Sequence, residues 1–322
     1  MIEALHSVQA PAGVQAELVY HLWLILLATC TAVFVAIMIA LTLALRAGPR
    51  ASRHTPPAIE LLERREPTVT RVVQLGVTVA AVLLIGLLVA SVYTSRALAG
   101  LPLTDALHVE LTAHQWWWEA RYDDPEPARV FVTANELHVP VGRPVLLTLR
   151  ASDVIHSFWV PSLVGKKDLI PGREARVAFR ADRAGIYRGQ CAEFCGYQHA
   201  KMALFVIADE PQAWQRWADG QRSPAVAPHT PEEVRGLELF ETGTCAMCHA
   251  VSGTRAGGRR APDLTHVASR STLAAGAIPN DIAARAAWIL DPQAIKPGVN
   301  MPATNLSPQD MAAITAFLGA LR

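Results

Sequence analysis

Cysteine is scarce in this chain of 322 residues. It has five, four of them (Cys191, Cys195, Cys245 and Cys248) confined to two short clusters and the fifth, Cys30, alone in an apolar run. If both clusters bind cofactors, no pair is left for a structural disulfide. Net charge is nearly absent as well: 29 Lys and Arg face 28 Asp and Glu, for a formal charge of +1. No long basic run occurs that could follow a phosphate backbone, so nucleic acid is excluded as a partner. Internal repeats and low-complexity tracts are missing, which rules out a solenoid. No Lys or Arg precedes Leu18, so the first apolar run lacks the basic leader of a secretory signal peptide, and its apolar core is too long for one.

Hydrophobic residues are plentiful, at 51% of the chain, and concentrate near the N-terminus. Leu18 to Leu45 is almost unbroken Leu, Ile, Val, Ala and aromatic residues, closed by Arg46, and exceeds the roughly 20 residues that cross a bilayer as helix. Val72 to Tyr93 is a second such run, whose Gly76, Gly86, Ala and Ser residues permit close helix packing. The sequence thus predicts a transmembrane helical hairpin over residues 1–96, with spans at about 18–45 and 72–95. Arg46, Arg50, Arg53, Arg64, Arg65 and Arg71 crowd its connecting loop, which the positive-inside rule assigns to the cytoplasm, leaving both ends outside.

After Arg96 short Val, Leu, Thr and Phe runs alternate with Pro, Gly and Asp, as at 129–133, 144–149, 175–179 and 203–207. This predicts an antiparallel β-domain of sandwich or barrel type over 97–210. Residues 211–220, with Trp214 and Trp217, read as a short helix, and 221–230 as a linker rich in Pro, Ala and Ser, so that 211–230 joins the β-domain to a helical one. That last domain, 231–322, opens on Thr230 as cap and Pro231 as first helical residue. It ends on a helix from Ser307 to Leu321 with Met311, Ile314, Phe317, Leu318 and Leu321 at helical spacing.

The chemistry lies in the two clusters. Cys191 to Met202 reads Cys-Ala-Glu-Phe-Cys-Gly-Tyr-Gln-His-Ala-Lys-Met, and His156 stands upstream in Asp153-Val154-Ile155-His156. Two thiolates, two imidazoles and a thioether suit copper. The thiolates can each bridge a pair of ions, with His156 and His199 completing one ion each and Met202 a weak axial ligand. A structural zinc ion on two Cys and two His is the alternative, against which Met202 counts. Cys245-Ala246-Met247-Cys248-His249 is the attachment signal for c-type haem, both thiols bonding the porphyrin and His249 ligating iron. Met301, in the loop ahead of the terminal helix, is the candidate sixth ligand, since a thioether raises haem potential. Met247 and Met311 read as structural, and His266 as a second candidate. Haem attachment places this half of the chain outside the cytoplasm. Trp116, Trp117 and Trp118 are consecutive, so on a strand some must reach a surface; membrane-interface anchoring and function are equally open for them. Asp153 orients His156 or its loop, with a capping or surface role as the equal alternative.

These residues resemble subunit II of haem-copper cytochrome oxidases. The resemblance rests on the cluster from Cys191 to Met202, on Asp-Val-Ile-His-Ser-Phe-Trp-Val-Pro-Ser-Leu around His156, on Gly165-Lys166-Lys167-Asp168 with Ile170-Pro171-Gly172-Arg173, and on His114-Gln115-Trp116-Trp117-Trp118. It covers about residues 15–220. It implies a cupredoxin-like domain with the binuclear copper centre Cu(A): Cys191 and Cys195 bridge, and His156, His199, Met202 and the Glu193 carbonyl are terminal ligands. It also implies a Glu193 carboxylate holding Mg²⁺ at the contact with subunit I, and Trp116 as the point where electrons arrive. Residues 231–322 resemble an all-α class I cytochrome c, including Gly236, Phe240 and Ala261-Pro262-Asp263-Leu264. A fused cytochrome is the arrangement of caa-type oxidases, in which a tether sets the effective concentration of the donor haem.

The implied function is the subunit that admits electrons to a terminal cytochrome c oxidase, from a c-type cytochrome or a bc complex through haem c and Cu(A) to the O₂-reducing centre of subunit I. Subunit III and membrane lipid are further expected partners, in a bacterial inner membrane with the copper and haem domains on the periplasmic or outer face. A nitric oxide reductase subunit with Cu(A), and a membrane-anchored copper-delivery protein, are the alternatives; covalent haem opposes the second. One element departs from the family. The Glu ahead of a Trp-Thr-x-x-Pro element, at the mouth of a proton channel, is replaced by Arg65-Glu66-Pro67-Thr68-Val69-Thr70-Arg71, where Glu66 or Glu63 is the substitute and a solvated loop carboxylate the alternative.

Overall fold

The computed structural model describes residues 5–47 and 67–322. Glu63, Glu66, Arg50, Arg53, Arg64 and Arg65 lie outside the described residues, and the expectations about the loop lie with them. Two units are compact in themselves, one of residues 18–100 and one of 1–17 with 101–322.

The first unit is built on two helices, α1 Val14–Ala47 of 34 residues and α2 Pro67–Ala99 of 33. Each runs several residues beyond the apolar stretch that predicted it. At about 1.5 Å per residue each extends about 50 Å, more than the roughly 30 Å hydrocarbon core of a bilayer. Both are long and apolar enough to cross a membrane. Leu, Ile and Val stand exposed around the whole circumference of each, so neither has the single apolar stripe of a helix laid on a protein core.

The second unit begins with the N-terminal segment, which the sequence left without a role. Leu5 N–H donates to Ile186 O at 2.8 Å and Ala12 N–H to Ser162 O at 2.7 Å, laying this strip along the β-domain. The β-domain contains β1 Leu107–His114, β2 Trp117–Tyr122, β3 Phe131–Ala134, β4 Glu136–Pro140, β5 Val145–Ala151, β6 His156–Val160, β7 Val164–Leu169, β8 Ala175–Phe179, β9 Gly185–Gln190 and β10 Ala203–Asp209. They form a five-stranded sheet ordered β3-β2-β1-β5-β8, a three-stranded sheet β4-β10-β9 and the pair β6-β7. Pairing is mostly antiparallel, as expected, but β1 with β5 and β4 with β10 are parallel. Alternation explains the core: Val109, Leu111 and Ala113 of β1 and Val145, Leu147 and Leu149 of β5 all point inward and are buried. With Trp118, Phe158, Phe179 and Val206 they make one cluster. Helix α3 Pro211–Arg222 closes an edge, with Trp214 Nε1 donating to His138 O at 3.2 Å.

The helical domain starts at α4 Pro231–Thr242, whose cap is reciprocal: Glu233 N–H donates to Thr230 Oγ1, and the Glu233 carboxylate accepts from Thr230 N–H. It continues through the short pair β11 Thr272–Leu273 and β12 Ile278–Pro279, α5 Ile282–Leu290 and α6 Pro292–Ile295 to α7 Pro308–Ala320, capped by Ser307. Helices α4 and α7 cross at Gly236, where an added Cβ would meet Ala313 O at 2.1 Å and Phe317 Cβ at 2.7 Å. Phe240 and Phe317 pack beside it with ring centroids 5.7 Å apart and planes tilted by 58°. Because the obstacle is backbone, Gly236→Ala forces the helices apart. It is expected to destabilise this domain by about 3 kcal/mol, at the upper end of overpacking costs, seen as a lower urea midpoint at unchanged slope.

The helical domain does not hang free on its linker. Ala203 N–H at the start of β10 donates to Ala275 O at 3.0 Å, and Ser271 N–H donates to the Glu136 carboxylate at 2.7 Å. The tether is thus accompanied by direct packing on the β-domain.

Candidate metal and haem centres

The loop from Cys191 to Met202 is the hairpin connection between the antiparallel strands β9 and β10. Its base is closed by Cys191 N–H donating to Met202 O at 2.9 Å, and Ala192 N–H ties it to Ser157 O on β6, the strand that begins with His156. Remote His156 is carried to the two thiols by that pairing, and donor atoms of His156, Cys191 and Cys195 lie within 4.8 Å of one another. The two sulfurs stand 3.7 Å apart. That is too long for a disulfide, at about 2.0 Å, and suits two sulfurs sharing metal at about 2.3 Å each. Around them His156 Nδ1 lies 3.8 Å and Glu193 O 3.1 Å from Cys191 Sγ, while His199 Nδ1 lies 3.6 Å and Met202 Sδ 3.8 Å from Cys195 Sγ. All six sequence-derived donors converge. Glu193 is exposed, whereas Cys191, Cys195, His156 and Met202 are at most 2% exposed.

Asp153 explains how His156 is aimed. Its carboxylate accepts from His156 Nε2 at 2.8 Å, and also from Gln115 N–H at 2.6 Å and Val154 N–H at 2.7 Å. With the proton held on Nε2, the lone pair lies on Nδ1, the nitrogen facing Cys191. Burial alone would raise the Asp153 carboxyl, but the hydrogen bonds outweigh it and hold it below the usual carboxylate range. Cys191 is pulled down to about 3 by its contact with Cys195, against the cost of burial and with help from His156 and nearby backbone. Cys195 is pushed up by the same contact. The two thiols therefore do not ionise independently: loss of the first proton from the pair opposes loss of the second.

In the helical domain a cavity of about 540 Å³ is lined by Cys245, Cys248, His249 and Met301, with Phe240, Ile314 and Leu318 among its apolar walls. Cys245 and Cys248 sit on a single tight turn, Cys248 N–H donating to Cys245 O at 3.1 Å. His249 Nδ1 faces Pro262 O at 2.7 Å. A carbonyl only accepts, so Nδ1 carries the proton and Nε2 is left with a lone pair, and burial lowers the basicity of this imidazole. Both thiols, a correctly polarised imidazole, a thioether and an apolar enclosure fit haem c. His266 is drawn elsewhere: its two nitrogens face Arg322 O at 2.9 Å and Ser223 O at 3.0 Å. Met311 belongs to the helical core, and Met247 is mostly exposed.

The tryptophan run divides by strand geometry. Trp118 is fully buried on β2, and Trp117, on the other face, stacks on His114 at 4.2 Å. Trp116 lies just ahead of the strand, 6% exposed, its indole Nε1 donating to Cys195 O at 2.9 Å. Its ring also lines the cavity that holds His249 and Met301. Burial of Trp116 and Trp118 removes the membrane-interface alternative for these two rings. Gln115 Nε2 donates to the same Cys195 carbonyl at 2.7 Å. Gln115, Gln198 and Lys296, all at this seam, were not singled out from the sequence. Gln115 and Gln198 at least stand inside the recognisable motifs; Lys296 carries no local signal.

Comparison with known proteins agrees with this geometry. Residues 124–209 match the family model for the periplasmic domain of cytochrome c oxidase subunit II, and residues 233–322 match that for cytochrome c. The chain is 36% identical over 219 residues to cytochrome c oxidase subunit 2 of Alkalihalophilus pseudofirmus, covering 68% of this chain and 62% of that protein. It is 34% identical over 229 residues to the Bacillus subtilis subunit 2, covering 68% and 63%. The match thus spans somewhat less than two thirds of these relatives. Among solved structures, the periplasmic domain of cytochrome oxidase subunit II (CoxB) of Bradyrhizobium japonicum is 29% identical, covering 38% of this chain and 97% of that one with a TM-score of 0.35.

Proposed function

Because the chain belongs to the cytochrome c oxidase subunit II family, with a cytochrome c domain at its C-terminus, we propose that it is the subunit through which electrons reach the O₂-reducing centre of subunit I. In this reading its donor is a c-type cytochrome or a bc complex. The observation that carries the proposal is Trp116, which lines the His249 and Met301 cavity and hydrogen-bonds the Cys195 carbonyl at 2.9 Å. One residue therefore touches both the copper loop and the wall of that cavity.

When bound, binuclear Cu(A) and haem c supply the one-electron chemistry. The chain's own part is to hold and insulate them. Cys191, Cys195, His156, His199, Met202 and the Glu193 carbonyl would hold the copper ions. Cys245 and Cys248 would bond the porphyrin, and His249 and Met301 would hold its iron. Burial of Cys191, Cys195, His156 and Met202 keeps water from that side of the site, so less solvent has to reorganise as charge changes. The Glu193 carboxylate, which is exposed, would take Mg²⁺ at the contact with subunit I. Helices α1 and α2 would anchor the chain in a bacterial inner membrane beside subunits I and III, with the copper and haem domains on the periplasmic face.

The test is rapid reduction of the haem in the purified complex. The haem is expected to reoxidise in step with loss of the near-infrared copper band, and O₂ to be consumed when reduced cytochrome c is supplied. Consumption of nitric oxide in place of O₂ would assign the chain to a reductase of that gas, and reoxidation of the haem without any copper signal would overturn the route.

A further inference from the structure

Lys296 sits in the turn between α6 and Met301 and is 1% exposed, a rare position for an ammonium. Its Nζ donates to Trp116 O at 2.7 Å and to Ala274 O at 2.9 Å. One acceptor belongs to the β-domain and the other to the helical domain, so a single side chain pins both. Among the described residues it forms no ion pair, and burial pushes its amine down to about 7. An unpaired buried cation is a poor source of stability, since an apolar side chain of similar size would serve as well or better. Its value must lie in geometry.

The surrounding turn fits that reading. Gln198 Nε2, inside the copper loop, donates to Pro297 O at 2.7 Å, and Lys201 Nζ donates to Ile295 O at 2.6 Å. Gly298 packs flat beneath the Trp116 ring, where an added Cβ would stand 3.5 Å from its Cη2. Gln293 secures the same turn from within, accepting from Gly298 N–H at 2.8 Å and donating to Val299 O and Met301 O. The segment that delivers Met301 to the cavity is therefore the segment that grips the copper loop and Trp116.

We propose that Lys296 is a positioning residue for electron transfer: it pins the Trp116 backbone to the 295–299 turn and so fixes the indole between the haem cavity and the copper loop. The helical domain accordingly works docked, and does not swing on its linker between encounters. This rests on the proposed route from haem to copper, in which one electron leaves ferrous haem, which becomes ferric, and the copper pair is reduced by one, with no proton displaced.

The experiment uses Lys296→Met in the full chain, assembled with both cofactors and the rest of the complex. Transfer after rapid haem reduction is expected to slow by at least about tenfold, as small misplacements of reacting partners do. Both redox potentials and both optical spectra are expected to match the parent. Amide hydrogen exchange over 114–118 and 295–299 should rise together. Gln198→Ala with Lys201→Ala, which opens the rim of the same seam and leaves Lys296 in place, should slow transfer to a smaller degree; it is the deciding variant if Lys296→Met does not accumulate. A rate within twofold of the parent in the deciding variant, unchanged exchange, or slowing accompanied by a shifted haem potential would overturn the proposal. If the parent itself passes no electron from haem to copper, the functional reading fails, and the exchange data alone decide whether Lys296 couples the two segments.

Discussion

Replacing Cys195 by serine is expected to leave at most one copper per chain, to abolish the near-infrared band and the mixed-valence electron resonance signal, and to stop donor-driven O₂ consumption while the haem remains fully loaded. Cys195 Sγ is the centre of the donor set, within 3.7 Å of Cys191 Sγ, 3.6 Å of His199 Nδ1 and 3.8 Å of Met202 Sδ. Serine fills nearly the same volume, so the fold is retained, but a hydroxyl stays protonated where a thiol ionises and cannot bridge two soft ions. The loss should exceed the roughly 10–100-fold in affinity that removal of a metal ligand's supporting partner costs. Copper analysis with electron resonance reads it directly, and a persistent mixed-valence signal in this variant would exclude a bridging role for Cys195. The parent protein carries a related pH dependence. The contact between the two thiols makes the second proton of the pair harder to lose than the first. Copper must displace that proton, so copper uptake weakens as pH falls.

Met301→Ala is expected to lower the haem potential by on the order of 0.1–0.3 V, a fraction of the roughly 0.8 V that axial ligands command. The thioether is a weak donor that favours ferrous iron, and its removal leaves water or a stronger field to favour the ferric state. At about 59 mV per tenfold for one electron, a fall of 0.2 V makes reduction of the haem by its donor roughly a thousandfold less favourable. Redox titration followed at the haem absorbance measures it. An unchanged potential would mean that another side chain occupies the sixth position. His266 is not available for that, since both of its nitrogens are engaged by carbonyls of Arg322 and Ser223.

Much of the architecture could be read from local pattern. Apolar runs of spanning length announce α1 and α2, Thr230 with Pro231 announces α4, and the short alternating runs announce the β-domain. Strand pairing was harder. Nothing local distinguishes β1, which takes β5 as a parallel neighbour, from a strand in an ordinary meander, because register depends on which faces are buried together. The N-terminal strip from Leu5 to Ala12 was equally unreadable, since its partners are carbonyls at Ile186 and Ser162.

The candidate metal donors were legible because coordination chemistry accepts so few side chains: thiolate, imidazole and thioether gathered on one loop have few other uses. What they bind to each other through, and how they are wired, came only from the folded chain. That Trp116 donates to the Cys195 carbonyl and that Lys296 reaches across 180 positions to the Trp116 carbonyl are contacts of ordinary polar groups with backbone oxygens. Every residue offers such an oxygen, so these pairings leave no mark in composition or spacing. Only the packing of one domain on the other selects them.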